Sequence, residues 1–172
     1  MADWSAPIAN EFIRLARADG RLLTQMQLQK LVYIAHGWNL AINGNPLTHD
    51  NPEAWEYGPV YRSLRAALRE YGRAPVQREI RNCDYDIGAF EEDQEAPAVA
   101  DLAPEECAVI ERVFRDYGHF HAYRLSALTH QPGTPWSNVY ADGAGRFAQI
   151  NADLIREHFV ELARSRQAAA HA

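Results

Sequence analysis

The run Leu28-Gln-Lys-Leu-Val-Tyr-Ile-Ala-His-Gly-Trp38 puts apolar side chains on nearly every face of a helix. Leu28, Leu31, Val32, Ala35, Trp38 and, one turn on, Ile42 line one broad face, while Ile34, Leu40 and Ala41 cover much of the rest. A helix apolar nearly all round is a buried central helix, which other elements must wrap. Its limits are marked. Thr24 with Gln27 three residues on makes a capping box, and Asn43-Gly-Asn-Pro46 is strong turn chemistry, so the helix is expected over about 25–42.

Working outward, Ile8, Phe12, Leu15 and Ala16 predict an amphipathic helix over about 7–19, stopped by Gly20. After the central helix, Pro46-Leu-Thr48 and Ala54-Trp-Glu-Tyr57 read as two short strands. Gly58-Pro59 then turns into a helix of about 59–72 with Val60, Leu64, Ala67, Leu68 and Tyr71 on one face. Residues 73–103 lack periodicity. No basic residue falls between Asn82 and Ile110, so an irregular acidic insertion is expected at about 82–103. Pro104 opens a helix that ends at Gly118, a further helix covers about 120–130, and Trp136–Tyr140 forms a short helical turn. Asn151 caps the last helix, with Ile150 and Ile155 as its hydrophobic staple, and the tail 167–172 is expected to fray. The pattern predicts a mainly α, single compact helical domain over 1–172 with a short two-stranded β element.

Composition agrees with this reading and narrows the function. The chain has 172 residues, 47% hydrophobic and 23% charged, enough for one sizeable core. Its net charge of −6 disfavours general binding to nucleic acid or anionic membranes. Cys83 and Cys107 form no CxxC pair, so a reducing cytoplasm is the expected compartment. The start Met1-Ala-Asp-Trp-Ser5 carries an acid and no apolar run, so no signal peptide or membrane span is expected.

Few constellations suggest chemistry. His119, His121 and His130 are too few and too irregular for a zinc site, so neither metal nor cofactor is expected. Ser126 and His130 stand at i, i+4 on one helix face and are the only nucleophile–base candidate; without an acid or oxyanion element a hydrolase is the weaker alternative. Arg62, Arg65, Arg69 and Arg73 are spaced three, four and four, which places them on one helical stripe, extended by Arg78 and Arg81. Its plain reading is a solvated face. Its functional reading is a partner-docking surface, since the guanidinium fork pairs with carboxylates and stacks on aromatics; a DNA-binding regulator is a third reading. Glu91, Glu92 and Asp93 form the centre of the acidic stretch and a second candidate partner surface. Lys30 is the only lysine, set within the most apolar helix, and needs a partner such as Glu53 or Glu56.

The quoted helix, then Asn43-Gly-Asn-Pro-Leu47, then Glu53-Ala-Trp-Glu-Tyr-Gly-Pro-Val60, strongly resemble the Panacea domain, whose hallmarks read LQKLLYYAQGW, a GKPL turn and EAWxxGPV. Tyr117-Gly118, Leu125-Ser126, Thr129-His130 and Pro135-Trp136 match its second half, and the resemblance spans about residues 10–160. The motif positions carried over are Leu28, Lys30, Leu31, Tyr33, Gly37, Trp38, Glu53, Trp55, Gly58, Pro59, Thr129, His130 and Trp136. The resemblance implies an antitoxin, not an enzyme, that neutralises a cognate protein toxin by direct binding. In SocA-like members it implies an adaptor that delivers a SocB-like toxin to the protease ClpXP. The motifs themselves are mostly packing and turn residues, which read as a scaffold.

Overall fold

A computed structural model describes residues 4–85 and 93–172. Its seven α-helices are α1 (Ser5–Ala18), α2 (Gln25–Asn43), α3 (Arg62–Leu68), α4 (Pro104–Tyr117), α5 (Ala122–His130), α6 (Pro135–Tyr140) and α7 (Ala152–Ala170). A small antiparallel hairpin joins β1 (Glu53–Trp55) to β2 (Gly58–Val60). α2 is the hub: α1, α4, α5 and α7 all pack on it, and one cluster of buried apolar side chains draws on both halves of the chain.

The helix limits follow from their caps. Thr24 Oγ1 accepts from the Gln27 amide while the Thr24 amide donates to Gln27 Oε1 at 2.9 Å. α1 ends in a Schellman arrangement, with the amide of Gly20 on the Arg17 carbonyl and that of Arg21 on Ala16. Its start is capped from outside, by the Asp50 carboxylate accepting from the Ser5 amide and hydroxyl. Asn151 caps α7, and Ile150 and Ile155 are both fully buried. α7 stays helical to Ala170, beyond residue 167 where fraying is expected, with its last turns exposed.

α2 departs from its sequence pattern in two ways. Ile42 is 63% exposed rather than core, although Leu40 in the same turn is buried, so the end of α2 keeps one side in solvent. Four polar side chains are buried instead: Gln29, Lys30, His36 and Asn39. Each meets backbone. Gln29 pairs with both the amide and the carbonyl of Tyr61. His36 Nδ1 accepts from the amides of Leu47 and Thr48, and burial lowers its pKa to about 4. These bonds lash the 46–61 segment to the hub. Gly37 admits α7: a Cβ there would lie 2.2 Å from the Phe159 ring.

The strands lie elsewhere than expected. Residues 46–48 pack on His36 and do not pair with the 54–57 run; the hairpin is 53–55 with 58–60, in the register Glu53↔Val60 and Trp55↔Gly58. Pro59, read as a helix entry, sits in a strand because a short edge strand leaves no amide to miss. The following helix is correspondingly shorter than 59–72. It begins at Arg62, ends at Leu68 and tightens into a 3₁₀ turn over Arg69–Tyr71.

The described part of the irregular stretch is tied to the core rather than hanging from it. The fully buried Asn10 side chain bonds both backbone groups of Ile80 and the carbonyl of Ala98, each at 2.8 Å. Val76, Ile80, Tyr85 and Ala98 are buried there.

Candidate functional site

Lys30 is 1% exposed, and among the described residues its Nζ has one hydrogen-bond partner, the Pro59 carbonyl at 2.8 Å. Neither Glu53 nor Glu56 pairs with it. Glu53 instead receives Trp55 Nε1 and both prongs of Arg62, and Glu56 lies 3.8 Å from Arg146. Without a counter-charge, burial pushes the lysine pKa down from 10.5 to about 7. Gly58 makes room for it: its φ of +109° suits glycine, and a Cβ would sit 2.9 Å from Lys30 Cε and 2.7 Å from Thr129 Oγ1.

The hairpin that covers Lys30 is clamped to α5 and α6. Ser126 Oγ donates to the Tyr57 carbonyl at 2.8 Å, and Trp136 Nε1 donates to the Trp55 carbonyl at 2.7 Å. His130 lies with Nδ1 2.6 Å from the Ser126 carbonyl and Nε2 3.1 Å from that of Glu56. Ser126 Oγ and His130 Nδ1 do meet, at 3.4 Å, but the Ser126 hydroxyl and both His130 ring nitrogens each have a backbone carbonyl nearer. Both residues of the nucleophile–base candidate act as structural ties. Thr129 continues the network, donating to the Ser126 carbonyl. Among the described residues no group of three or more His, Cys, Asp or Glu side chains is placed to hold a metal ion. His121 caps α5 and stacks on Tyr123, while His119 lies against Phe114.

The clamped hairpin forms one wall of a groove of about 860 Å³. The first turns of α2, with Gln25, Gln27 and Gln29, form another wall, and Lys30 lies at its base. Trp55, Glu56 and Tyr57 come from the hairpin, Arg65 from α3, Arg73 from the turn after Gly72, His121 and Tyr123 from the start of α5, and Arg146 from the loop before α7. Tyr57 and Tyr123 are 61% and 70% exposed. Arg65 lies over the Trp55 ring at 4.8 Å. Four bases line the groove against one acid, Glu56. A second, smaller cavity of about 490 Å³ lies between α2 and α7 beside Tyr33, Phe159 and Arg166.

The arginine row does not survive as one stripe. The helical ladder ends at Leu68, and Gly72, at φ +54°, redirects the chain before Arg73. Arg62 is taken by Glu53. Arg78 and Arg81 pair with Asp84, and Arg81 also with Glu95, which makes this part of the basic stretch a paired surface. Arg65 and Arg73 remain, and both line the groove; Arg69 does not. Glu91 and Glu92 lie outside the described residues, and Asp93 is exposed. Leu28, Leu31, Tyr33 and Trp38 are core, and Trp136 is buried against Tyr140 and His130. Tyr123 and Arg146 are groove residues that no sequence spacing links to the others; their signal is purely tertiary.

The structure presents a helical scaffold with a basic, aromatic groove, and comparison with known proteins places that scaffold. The family described as Antitoxin SocA-like, Panacea domain matches residues 28–137, which include most of the central helix, the hairpin and the clamp. Antitoxin SocA of Caulobacter vibrioides (strain NA1000 / CB15N) is 33% identical over 144 residues, covering 80% of this chain and 70% of that protein. No solved structure matches. The chain belongs to the SocA-like antitoxin family, with the Panacea domain as its shared unit.

Proposed function

We propose that the chain is a cytoplasmic, non-enzymatic antitoxin that silences a cognate, SocB-like protein toxin by binding it directly in the groove above Lys30. One observation carries the reading. The groove combines the exposed Tyr57 and Tyr123, Trp55, and Arg65 and Arg73, which have no carboxylate partner among the described residues, around a hairpin fixed by side-chain bonds to its backbone. Aromatic and arginine side chains on a rigid frame are the composition of binding hot spots. Family membership supports the toxin as the class of partner.

The paired acidic and basic surface around Arg78, Arg81, Asp84 and Glu95 does not line the groove. An adaptor that holds the toxin while ClpXP engages it needs such a surface outside the toxin site. Co-expression of the protein encoded by the adjoining reading frame with this chain tests both readings. The toxin alone should arrest growth, and the chain should restore it. A toxin that still arrests growth in the presence of folded chain overturns the antitoxin reading. For the adaptor, toxin half-life should shorten when the chain and ClpX are both present; an unchanged half-life with growth restored leaves plain sequestration.

A further inference from the structure

We propose that the groove receives an acidic segment of the partner, with one of its carboxylates directed to Lys30. This rests on the groove being the toxin-binding surface and names what it recognises there.

The first support is charge. Lys30, Arg65, Arg73 and Arg146 line the groove, and Glu56, 3.8 Å from Arg146, is the one acid among them. The ion pairs of the described residues include neither Arg65 nor Arg73, so two guanidinium forks stand ready for carboxylates, which they bind bidentately. The excess is local, since the chain as a whole carries −6.

The second support is Lys30 itself. Its ammonium has three donors, and one is used, on the Pro59 carbonyl. A neutral carbonyl does not balance a buried charge, and burial alone shifts the group toward its neutral form. An arriving carboxylate supplies both the counter-charge and the acceptor. Gly58 lets the lysine pack directly under the hairpin beside the groove, since a Cβ there would lie 3.0 Å from Nζ. A methionine would fill the same volume without the charge. A buried cation with no counter-charge among the described residues breaks the local rule for an apolar helix, and such breaks concentrate at functional sites. Phosphate would be drawn by the same bases; the antitoxin family, whose partner is a protein toxin, favours a protein segment.

The test uses three fluorescein-labelled probes: a peptide alternating glutamate and tyrosine, the same peptide with glutamine for glutamate, and an oligothymidylate of equal length. Binding is followed by anisotropy with wild type, Lys30→Met and the double variant Arg65→Gln/Arg73→Gln. The glutamate peptide should bind wild type about tenfold more tightly than the glutamine peptide, and Lys30→Met and Arg65→Gln/Arg73→Gln should each cut that preference to about threefold or less. Far-UV circular dichroism confirms that each variant is folded. Equal binding of the two peptides, no binding, preference for the oligonucleotide, or a preference for glutamate undiminished in folded Lys30→Met overturns the proposal. A wild type that restores growth against the toxin yet shows no glutamate preference overturns this inference alone. A wild type that prefers glutamate but leaves the toxin active overturns the antitoxin reading instead.

Discussion

Lys30→Met should unfold at higher denaturant concentration than wild type at pH 6, with a gain of about 3 kcal/mol. The lysine pKa falls from 10.5 to about 7 on folding, and each unit corresponds to about 1.4 kcal/mol between the charged and neutral forms. The full penalty, about 5 kcal/mol, applies below pH 7, where the ammonium is charged in both states. Against it stands the loss of the hydrogen bond to the Pro59 carbonyl, worth about 1–3 kcal/mol when the acceptor is left buried and unpaired. The sign with pH is fixed. Between about pH 7 and 10.5 the unfolded chain holds a proton that the folded chain has released, so this group makes stability rise with pH. The advantage of Lys30→Met should therefore shrink over that window and turn into a small deficit above it. Urea titrations of both proteins at pH 6 and pH 10 measure this. A variant less stable than wild type at pH 6 would show that Lys30 contributes net stability, and the case for a functional lysine would weaken.

Trp38→Ala should destabilise the protein by about 3–5 kcal/mol, the usual range for a large buried aromatic. Trp38 is 8% exposed, meets the Phe159 ring edge-on at 5.2 Å and carries the Arg166 guanidinium over its face at 4.8 Å. Phe159 is the same ring that Gly37 admits, so truncation opens a void where α7 crosses the hub. Thermal or urea unfolding gives the loss directly. A loss under about 1 kcal/mol would be that of a surface residue, and Trp38 would then belong to a partner face.

The helices were readable because their signals are local. Thr24 with Gln27, Pro104 at the first turn, and Asn151 between Ile150 and Ile155 each state a boundary within a few residues. Gly58-Pro59 misled because the same dipeptide opens helices and ends hairpins; the choice was made by Trp136, Ser126 and His130, which hold the hairpin from more than 65 residues away. The arginine row failed at Arg73 for a related reason, since spacing predicts a stripe only while the helix lasts, and this one ends at Leu68. Lys30 was conspicuous as the only lysine in an apolar run. Its partner was not, because a carboxylate was the natural expectation and a backbone carbonyl carries no mark in the sequence. The groove was illegible as a whole. Its walls come from α2, the hairpin, α3, α5 and the loop before α7, and only folding brings them together.

The proposed antitoxin role stands or falls on whether this groove holds the toxin. Isothermal titration of the purified toxin into wild type and into Arg65→Glu/Arg73→Glu tests it. Both arginines are exposed and free of carboxylate partners among the described residues, so the double reversal should leave the helical spectrum and the unfolding midpoint nearly unchanged. Affinity should fall by about a hundredfold or more, as reversing charges that face a complementary partner does. Affinity within about threefold of wild type for the folded double variant would contradict it, and would place the toxin on another face.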